Sequence, residues 1–289
     1  MTAGTREALM SFPRRLAGAA ADMSWGTRLS ALIIILYGFA ALFAPWIAPY
    51  GESEIVGPPF EPWSRTFLLG TDNLGRDMLT RLIYGIRNTI AISLVATLIS
   101  FLVGVTLGLL SAISGGWVDA ALSRVVDTLM AVPQLIFALL LLSVFGTSIP
   151  VLIAVITVIE TTRVFRLSRA LGMDVAAMDY IDVARMRGER TGWIIRREML
   201  PNVAGTLVAE FGLRFCFVFL LISALSFMGL GIQPPTADLG SMVRDNASLI
   251  TYGDITPLLP AAAIGFLTIS VNFVADWYLK TTAKPDASA

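Results

Sequence analysis

The chain has 289 residues, of which 56% are hydrophobic and only 15% are charged, and its formal net charge is zero. Soluble domains carry roughly 25% charged residues, so much of this surface is expected to face lipid. With no histidine and one cysteine, the composition excludes histidine-based catalysis, histidine metal ligation and a disulfide scaffold. A net charge of zero provides no overall attraction to nucleic acid.

Long uncharged stretches predict an all-α, polytopic membrane protein with six transmembrane helices. A helix needs about 20 apolar residues to cross the hydrocarbon core. One uncharged stretch is too long for a single crossing, and the turn-forming residues 146–150 divide it. Pro133 is expected to kink the third crossing. The predicted crossings are about residues 29–49, 88–112, 127–146, 149–168, 203–230 and 256–279.

Arginine and lysine are distributed unevenly between the segments that join these crossings. With the amino terminus in the cytoplasm, the outer segments hold five of the 21 basic residues: Arg65, Arg76, Arg81, Arg87 and Arg244. Cytoplasmic loops carry an excess of basic residues, so both termini are expected to be cytoplasmic. The predicted organisation is a cytoplasmic segment 1–28, a transmembrane domain 29–280 and a cytoplasmic tail 281–289, with an outer loop at 50–87 and a cytoplasmic loop at 169–202.

The sequence contains no recognisable nucleotide-binding motif. Neither of its two lysines, Lys280 and Lys284, follows a glycine-rich loop, so the GxxxxGK[ST] phosphate-binding pattern is absent. The chain is therefore expected not to hydrolyse ATP by itself, not to be an enzyme, and to hold no cofactor.

The cytoplasmic loop contains a short amphipathic helix. Asp179 is predicted to be its N-cap with Asp182 in a capping-box position, and Gly188 is predicted to follow its carboxyl end. A helix of this kind either docks into a groove of another protein or lies on lipid headgroups, and the residues alone leave both possibilities open. The apolar face, at helical spacing, consists of Ala177, Tyr180, Ile181 and Ala184.

Motifs in several places resemble one family of membrane proteins. Asp182-Val183-Ala184, followed by Gly188 and Leu200-Pro201, resembles the "EAA" coupling loop of bacterial ABC importer permeases, with Asp182 and Val183 in place of the glutamate and first alanine. Three further segments are similar to the C-type subunit of the dipeptide/oligopeptide/nickel family. They are LGTDNLGRD at 69–77, GLGIQPP at 229–235, and the residues Asn272 and Asp276. The resemblance covers about residues 29–280.

The resemblance implies a type I ABC importer permease fold in the bacterial inner membrane. It implies a second, B-type permease subunit, two cytoplasmic ATPase subunits that bind ATP and magnesium, and a periplasmic or lipid-anchored substrate-binding protein. The two permeases would form the pathway and work by alternating access. Peptides are the implied cargo, with nickel chelates, opines or another small solute as the alternative. The residues that would carry ATPase coupling are Tyr180, Asp182, Val183, Ala184, Arg185, Gly188, Leu200 and Pro201.

Charged residues suggest two further sites. Inside the crossings, Glu160, Glu210 and Arg214 either line the translocation path or form an ion pair, because charges in crossings usually face the bundle interior. In the outer loop, four polar residues either gate the pathway, contact the binding protein, or form a hydrogen-bonded loop that fixes the second crossing. They are Asp72, Asn73, Arg76 and Asp77.

Two other classes of protein fit the sequence less well. A membrane-embedded enzyme would need converging nucleophiles, acids or metal ligands, and the acids inside the crossings have arginine neighbours instead. A secondary transporter or channel works without ATP, so the coupling loop would have no purpose in it.

Overall fold

The computed structural model describes residues 23–282, and the predicted cytoplasmic placement of residues 1–22 and 283–289 lies outside them. Helices joined by loops make up the described part, with two isolated β-bridges in the outer loop, Ile55–Arg76 and Thr71–Asp77. The predicted all-α class is therefore confirmed for these residues.

The helices of the described part are numbered here in chain order. They are α1 Trp25–Ile47, α2 Met78–Ser114, α3 Gly116–Met130, α4 Gln134–Phe145, α5 Ile149–Ala176, α6 Asp179–Met186, α7 Thr191–Ile194, α8 Leu200–Phe227, α9 Leu239–Asn246 and α10 Leu258–Thr282. A π-helical turn, Ile195–Met199, joins α7 to α8, and a 3₁₀ helix, Ala247–Tyr252, follows α9.

Several described helices are long and apolar enough to cross a membrane. Four qualify individually, and α3 with α4 makes a fifth if that bent pair is one crossing. Helix α5 has 28 residues, but Glu160, Arg163 and Arg166 interrupt its apolar sequence. Helix α5 is therefore long enough to cross, but its charged residues keep it out of the set of apolar candidates. The expected count of six crossings stays a prediction. The four are Trp25–Ile47, Met78–Ser114, Thr191–Phe227 and Leu258–Thr281.

The third predicted crossing, residues 127–146, is not a single helix. Helix α3 ends at Met130, α4 begins at Gln134, and the two are bent by 84°. Pro133 has no N–H to donate, and its ring disfavours helical backbone at the preceding residue. The kink that the sequence predicts is therefore a break.

Helix α2 begins well before the predicted crossing at 88–112. The Asp77 carboxylate caps its amino end by accepting a hydrogen bond from a backbone N–H of the first turn, at 2.8 Å. Arg81 also lies in this turn, yet only 3% of it is exposed. Its guanidinium donates to the carbonyl oxygens of Pro235 at 2.7 Å and Glu52 at 3.3 Å. A prediction from uncharged stretches therefore makes a helix too short when, as with Arg81, its charged residues are bound by the chain itself.

Helices α2 and α5 form the most extensive helix pair because small residues let their backbones approach. A Cβ added at Gly108 would lie 2.7 Å from the Ser168 Cβ and 2.8 Å from the Phe165 carbonyl oxygen. Gly172 on α5 meets Ala112 on α2 equally closely. Small residues one turn apart are typical of helix contacts in membranes. Helix α5 is therefore held against α2 over several turns.

We expect Gly108→Ala to lower the stability of the purified chain by about 1–3 kcal/mol, because its Cβ overpacks the contact between α2 and α5. The matched change Gly205→Ala in α8 meets no atom within 4 Å. It should be neutral or slightly stabilising, since alanine favours a helix over glycine. Thermal unfolding in detergent compares the two variants, and equal melting temperatures would contradict the packing argument.

Candidate functional site

The polar residues predicted in the outer loop form a hydrogen-bonded loop. Asp72 accepts hydrogen bonds from the Arg76 backbone at 3.0 Å and from the Arg76 guanidinium at 2.7 Å, and both residues are buried. Asp77 is buried as the cap of α2, whereas Asn73 is partly exposed. The structure therefore gives three of the four residues partners within the chain. A contact of this loop with a binding protein stays a prediction.

Glu52 connects the outer loop to the segment before α9. Its carboxylate accepts hydrogen bonds from the Asn88 amide at 2.8 Å and from the Ala237 N–H at 2.7 Å. Asn88 also donates to the Ala237 carbonyl oxygen at 2.9 Å. Sequence analysis missed Glu52 and Asn88, because residues joined across such a distance along the chain leave no local pattern.

Asp238, directly before α9, is fully buried. It caps α9 by accepting a hydrogen bond from the Ser241 N–H at 2.9 Å, and it lies 3.0 Å from the Thr89 hydroxyl of α2. Burial raises the pKa of its carboxyl, whereas the hydrogen bond from Ser241 lowers it. Glu52 and Asp238 therefore connect α2, through Asn88 and Thr89, to the start of α9 and the residues just before it.

The three charged residues predicted within the crossings lie together at the middle of the helices. The Arg214 guanidinium donates to Glu210 at 2.5 Å and lies 3.7 Å from Glu160, which is fully buried. Gln134, the first residue of α4, donates to the other Glu160 oxygen at 3.0 Å and accepts a hydrogen bond from Arg163. One polar cluster therefore links α4, α5 and α8. Sequence analysis missed Gln134, because it is uncharged and its role follows from the break before it.

The contact between Glu160 and Arg214 is incomplete. Among the described residues, Glu160 Oε2 and Arg214 Nη1 have no hydrogen-bond partner, although they face each other. A buried ion pair is strongly stabilising only with good geometry and full hydrogen bonding. This contact is therefore weaker than the one between Glu210 and Arg214. No group of three Cys, Asp or Glu residues within 23–282 is placed to hold a metal ion.

Half of the predicted apolar face of α6 packs against the chain's own helices. Ile181 and Ala184 are at most 1% exposed and belong to an apolar cluster with Leu109 and Ile113 of α2 and Val203 of α8. The other two residues of the predicted face, Ala177 and Tyr180, are exposed, so the choice between docking and headgroup contact stays open. The coupling role assigned to Ala184 stays a prediction.

The outward surface of α6 carries large apolar side chains. Tyr180, Val183 and Met186 are 40%, 48% and 79% exposed, and Asp182 is exposed beside them. Sequence analysis missed Met186, which lies outside the apolar stripe identified from helical spacing. We call Tyr180, Val183 and Met186 the outward surface of α6.

The ends of α6 differ in how well the sequence predicts them. Met178, in extended conformation, is the N-cap, and Asp179 is the first helical residue, so the predicted Asp179 cap is wrong. Gly188 follows the C-cap Arg187 and has φ +80°, a left-handed conformation that favours glycine. The predicted position of Gly188 after the carboxyl end of α6 is therefore confirmed.

Two polar contacts attach α6 to its neighbours. The Arg185 guanidinium donates to the Ile113 carbonyl oxygen at the end of α2, at 3.1 Å, and to Asp182 at 3.3 Å. The Asn202 amide of α8 donates to the Tyr180 hydroxyl at 3.2 Å. Helix α6 is therefore fixed at the carboxyl end of α2 and the amino end of α8 by both apolar and polar contacts.

The π-helical turn lies directly before Pro201. In a continuous α-helix, the proline ring would clash with the Arg197 carbonyl, which would also lose its donor. The wider turn, in which the Leu200 N–H donates to the Ile195 carbonyl, avoids this clash. Asn202 donates to the Glu198 carbonyl at 2.6 Å. Leu200-Pro201 therefore marks a local change in helix geometry beside α6, and such turns are frequent at functional sites.

The chain is similar in sequence to known membrane transport proteins over most of its length. Residues 104–283 match the family described as binding-protein-dependent transport system inner membrane component. The chain is 34% identical to the di/tripeptide transport system permease protein DppC of Pseudomonas aeruginosa, over 85% of this chain and 83% of that protein. It is 28% identical to the dipeptide transport system permease protein DppC of Haemophilus influenzae, over 87% and 88%. It is 34% identical to the peptide transport system permease protein SapC of Escherichia coli O6:H1, over 83% and 86%.

Arg214→Gln is expected to lower the free energy of unfolding by about 3–5 kcal/mol, because Glu160 and Glu210 would lose their ion-pair partner inside the helices. Neutralising the whole group, with Glu160→Gln and Glu210→Gln added, should recover most of that loss. Thermal unfolding in detergent gives the order of the variants. If the triple variant is no more stable than Arg214→Gln, the three charged residues do not stabilise one another.

Proposed function

The chain belongs to the family of binding-protein-dependent transport system inner membrane components, and we propose that it is the permease subunit of an ATP-driven ABC importer of peptides. It is an inner-membrane transport component, not an enzyme, of the C-type dipeptide/oligopeptide permease group. Its relatives carry names for di/tripeptide, dipeptide and peptide transport, which supports peptides as its cargo.

In this proposal, partner subunits supply what the chain lacks. Its sequence has no GxxxxGK[ST] pattern, so ATP and magnesium are bound by two cytoplasmic ATPase subunits. A B-type permease completes the pathway, and a periplasmic or lipid-anchored binding protein delivers the cargo. Asp72, Asn73, Arg76 and Asp77 belong to the outer loop that faces this delivery, with Asn73 the member that has exposed surface.

The observation that carries the proposal is the outward surface of α6. Tyr180, Val183 and Met186 present exposed apolar side chains on the arginine-rich side of the chain. Such a patch, bordered by Asp182, is typical of a protein contact. We assign it to the ATPase subunit, with Gly188 holding the turn that ends the helix.

Movement of α6 would reach the membrane helices directly. Ile181 and Ala184 are packed against α2 and α8, and Arg185 is bonded to the last turn of α2. The π-helical turn before Pro201 lies at the amino end of α8, so a movement of α6 would reach α8 through this turn. The incomplete contact between Glu160 on α5 and Arg214 on α8 suits a step in which these helices shift, as alternating access requires.

We expect Met186→Asp to reduce ATP-driven uptake of a labelled dipeptide about tenfold or more, because it places a charge in the proposed ATPase contact. Met173→Asp, at a 48% exposed methionine of α5 outside this surface, is the matched control. Uptake is measured in vesicles that contain the full complex, with and without ATP. The proposal fails if uptake persists without ATP or if both variants transport equally well.

Gly188→Val should abolish ATP-coupled uptake while the chain remains in the membrane, because valine is strained at φ +80°. Gly188→Asn should keep most of the activity, since asparagine tolerates left-handed backbone. The measurements are dipeptide uptake and the amount of chain in the membrane fraction. Normal uptake by the valine variant would show that the turn has no part in coupling.

A further inference from the structure

The start of the helical segment Thr191–Phe227 carries arginines that the proposed coupling does not use. They line an open groove of about 580 Å³ formed by Arg190, Gly192, Trp193, Arg196 and Arg197. We call it the arginine groove. We propose that the arginine groove binds the phosphate headgroup of an anionic phospholipid from the cytoplasmic leaflet.

The arginines of the groove are available for a ligand. Arg190, Arg196 and Arg197 are exposed, and none forms an ion pair or side-chain hydrogen bond with another residue of the 23–282 region. The acids nearest along the chain, Glu189 and Glu198, do not pair with them. Guanidinium groups bind phosphate oxygens in a two-pronged arrangement, so three free arginines around one groove form a site for a phosphate group.

Trp193 gives the groove an apolar wall. Its indole is partly buried against the apolar cluster beneath α6, and the Arg187 guanidinium lies 5.8 Å from its ring centroid. Tryptophan is enriched where membrane proteins meet the headgroup layer. A wall of this kind favours a headgroup attached to acyl chains over free phosphate.

The groove lies close to the bilayer. Arg196 and Arg197 precede the predicted start of the crossing at 203 by two turns or less, roughly 10 Å along the helix axis. The headgroup layer adds roughly 5–8 Å on each side of the hydrocarbon core, and arginine side chains near helix ends reach into this layer.

The affinity of the full-length chain is measured in detergent micelles against phosphatidylglycerol and phosphatidylcholine with the same acyl chains. The unmodified chain should prefer phosphatidylglycerol. Since each basic residue contributes roughly a fivefold factor, Arg196→Gln with Arg197→Gln should weaken phosphatidylglycerol binding about 25-fold and leave phosphatidylcholine binding unchanged. The matched pair Arg124→Gln and Arg166→Gln removes the same charge from exposed positions outside the groove and should bind like the unmodified chain.

A second variant, Arg196→Lys with Arg197→Lys, keeps the charge and should retain most of the binding, which separates loss of charge from misfolding. Equal losses in the groove variant and the matched pair would overturn the proposal, because net charge alone would then explain the binding. Full competition by inorganic phosphate would also overturn it. So would unchanged phosphatidylglycerol binding by Arg196→Gln with Arg197→Gln. Lipid binding is measured on this chain alone, so the result does not depend on its transport function.

Discussion

The burial of Ile181 and Ala184 against α2 and α8 is the contact on which the proposed coupling depends. A helix of eight residues is not stable alone in water, so α6 exists because this face is covered. The same contact determines which side chains point away from the chain, and it joins α6 to two long helices. Stability of the short helix and transmission of its movement therefore rest on one set of apolar residues.

The sequence predicted α6, its glycine turn and the spacing of Glu210 with Arg214, because each is a pattern within a few residues. It did not predict which face of α6 is free, since the apolar pattern is the same whether the chain or a partner covers it. Glu160 and Gln134 join the charged cluster from other helices, and no local pattern indicates that they meet Arg214. The start of α2 was missed because two charged residues, Arg81 and Arg87, lie inside the helix and interrupt its apolar sequence.

Polar residues of the outer loop and nearby segments stabilise the fold through contacts within the chain. Asp72 and Arg76 bind each other, Glu52 binds Asn88, and Asp238 caps α9. These groups connect loops that are far apart in the chain to the first turns of α2. Asp72 and Arg76 belong to a motif that was visible in the sequence, whereas the contacts of Glu52 and Asp238 depend on the tertiary arrangement. Several hydrogen bonds therefore hold the outer loop, in contrast to the incomplete contact between Glu160 and Arg214 at the middle of the helices.

The break at Pro133 has a consequence for assembly. Helix α4 has 12 residues, which extend roughly 18 Å, against a hydrocarbon core of about 30 Å. With α3 turned by 84°, this part of the chain is too short for the bilayer when α4 stands upright. The deficit is a hydrophobic mismatch, relieved by local thinning or by oligomerisation. We therefore expect a subunit without its permease partner to thin the bilayer beside α4, and a partner helix packed there to remove the deficit.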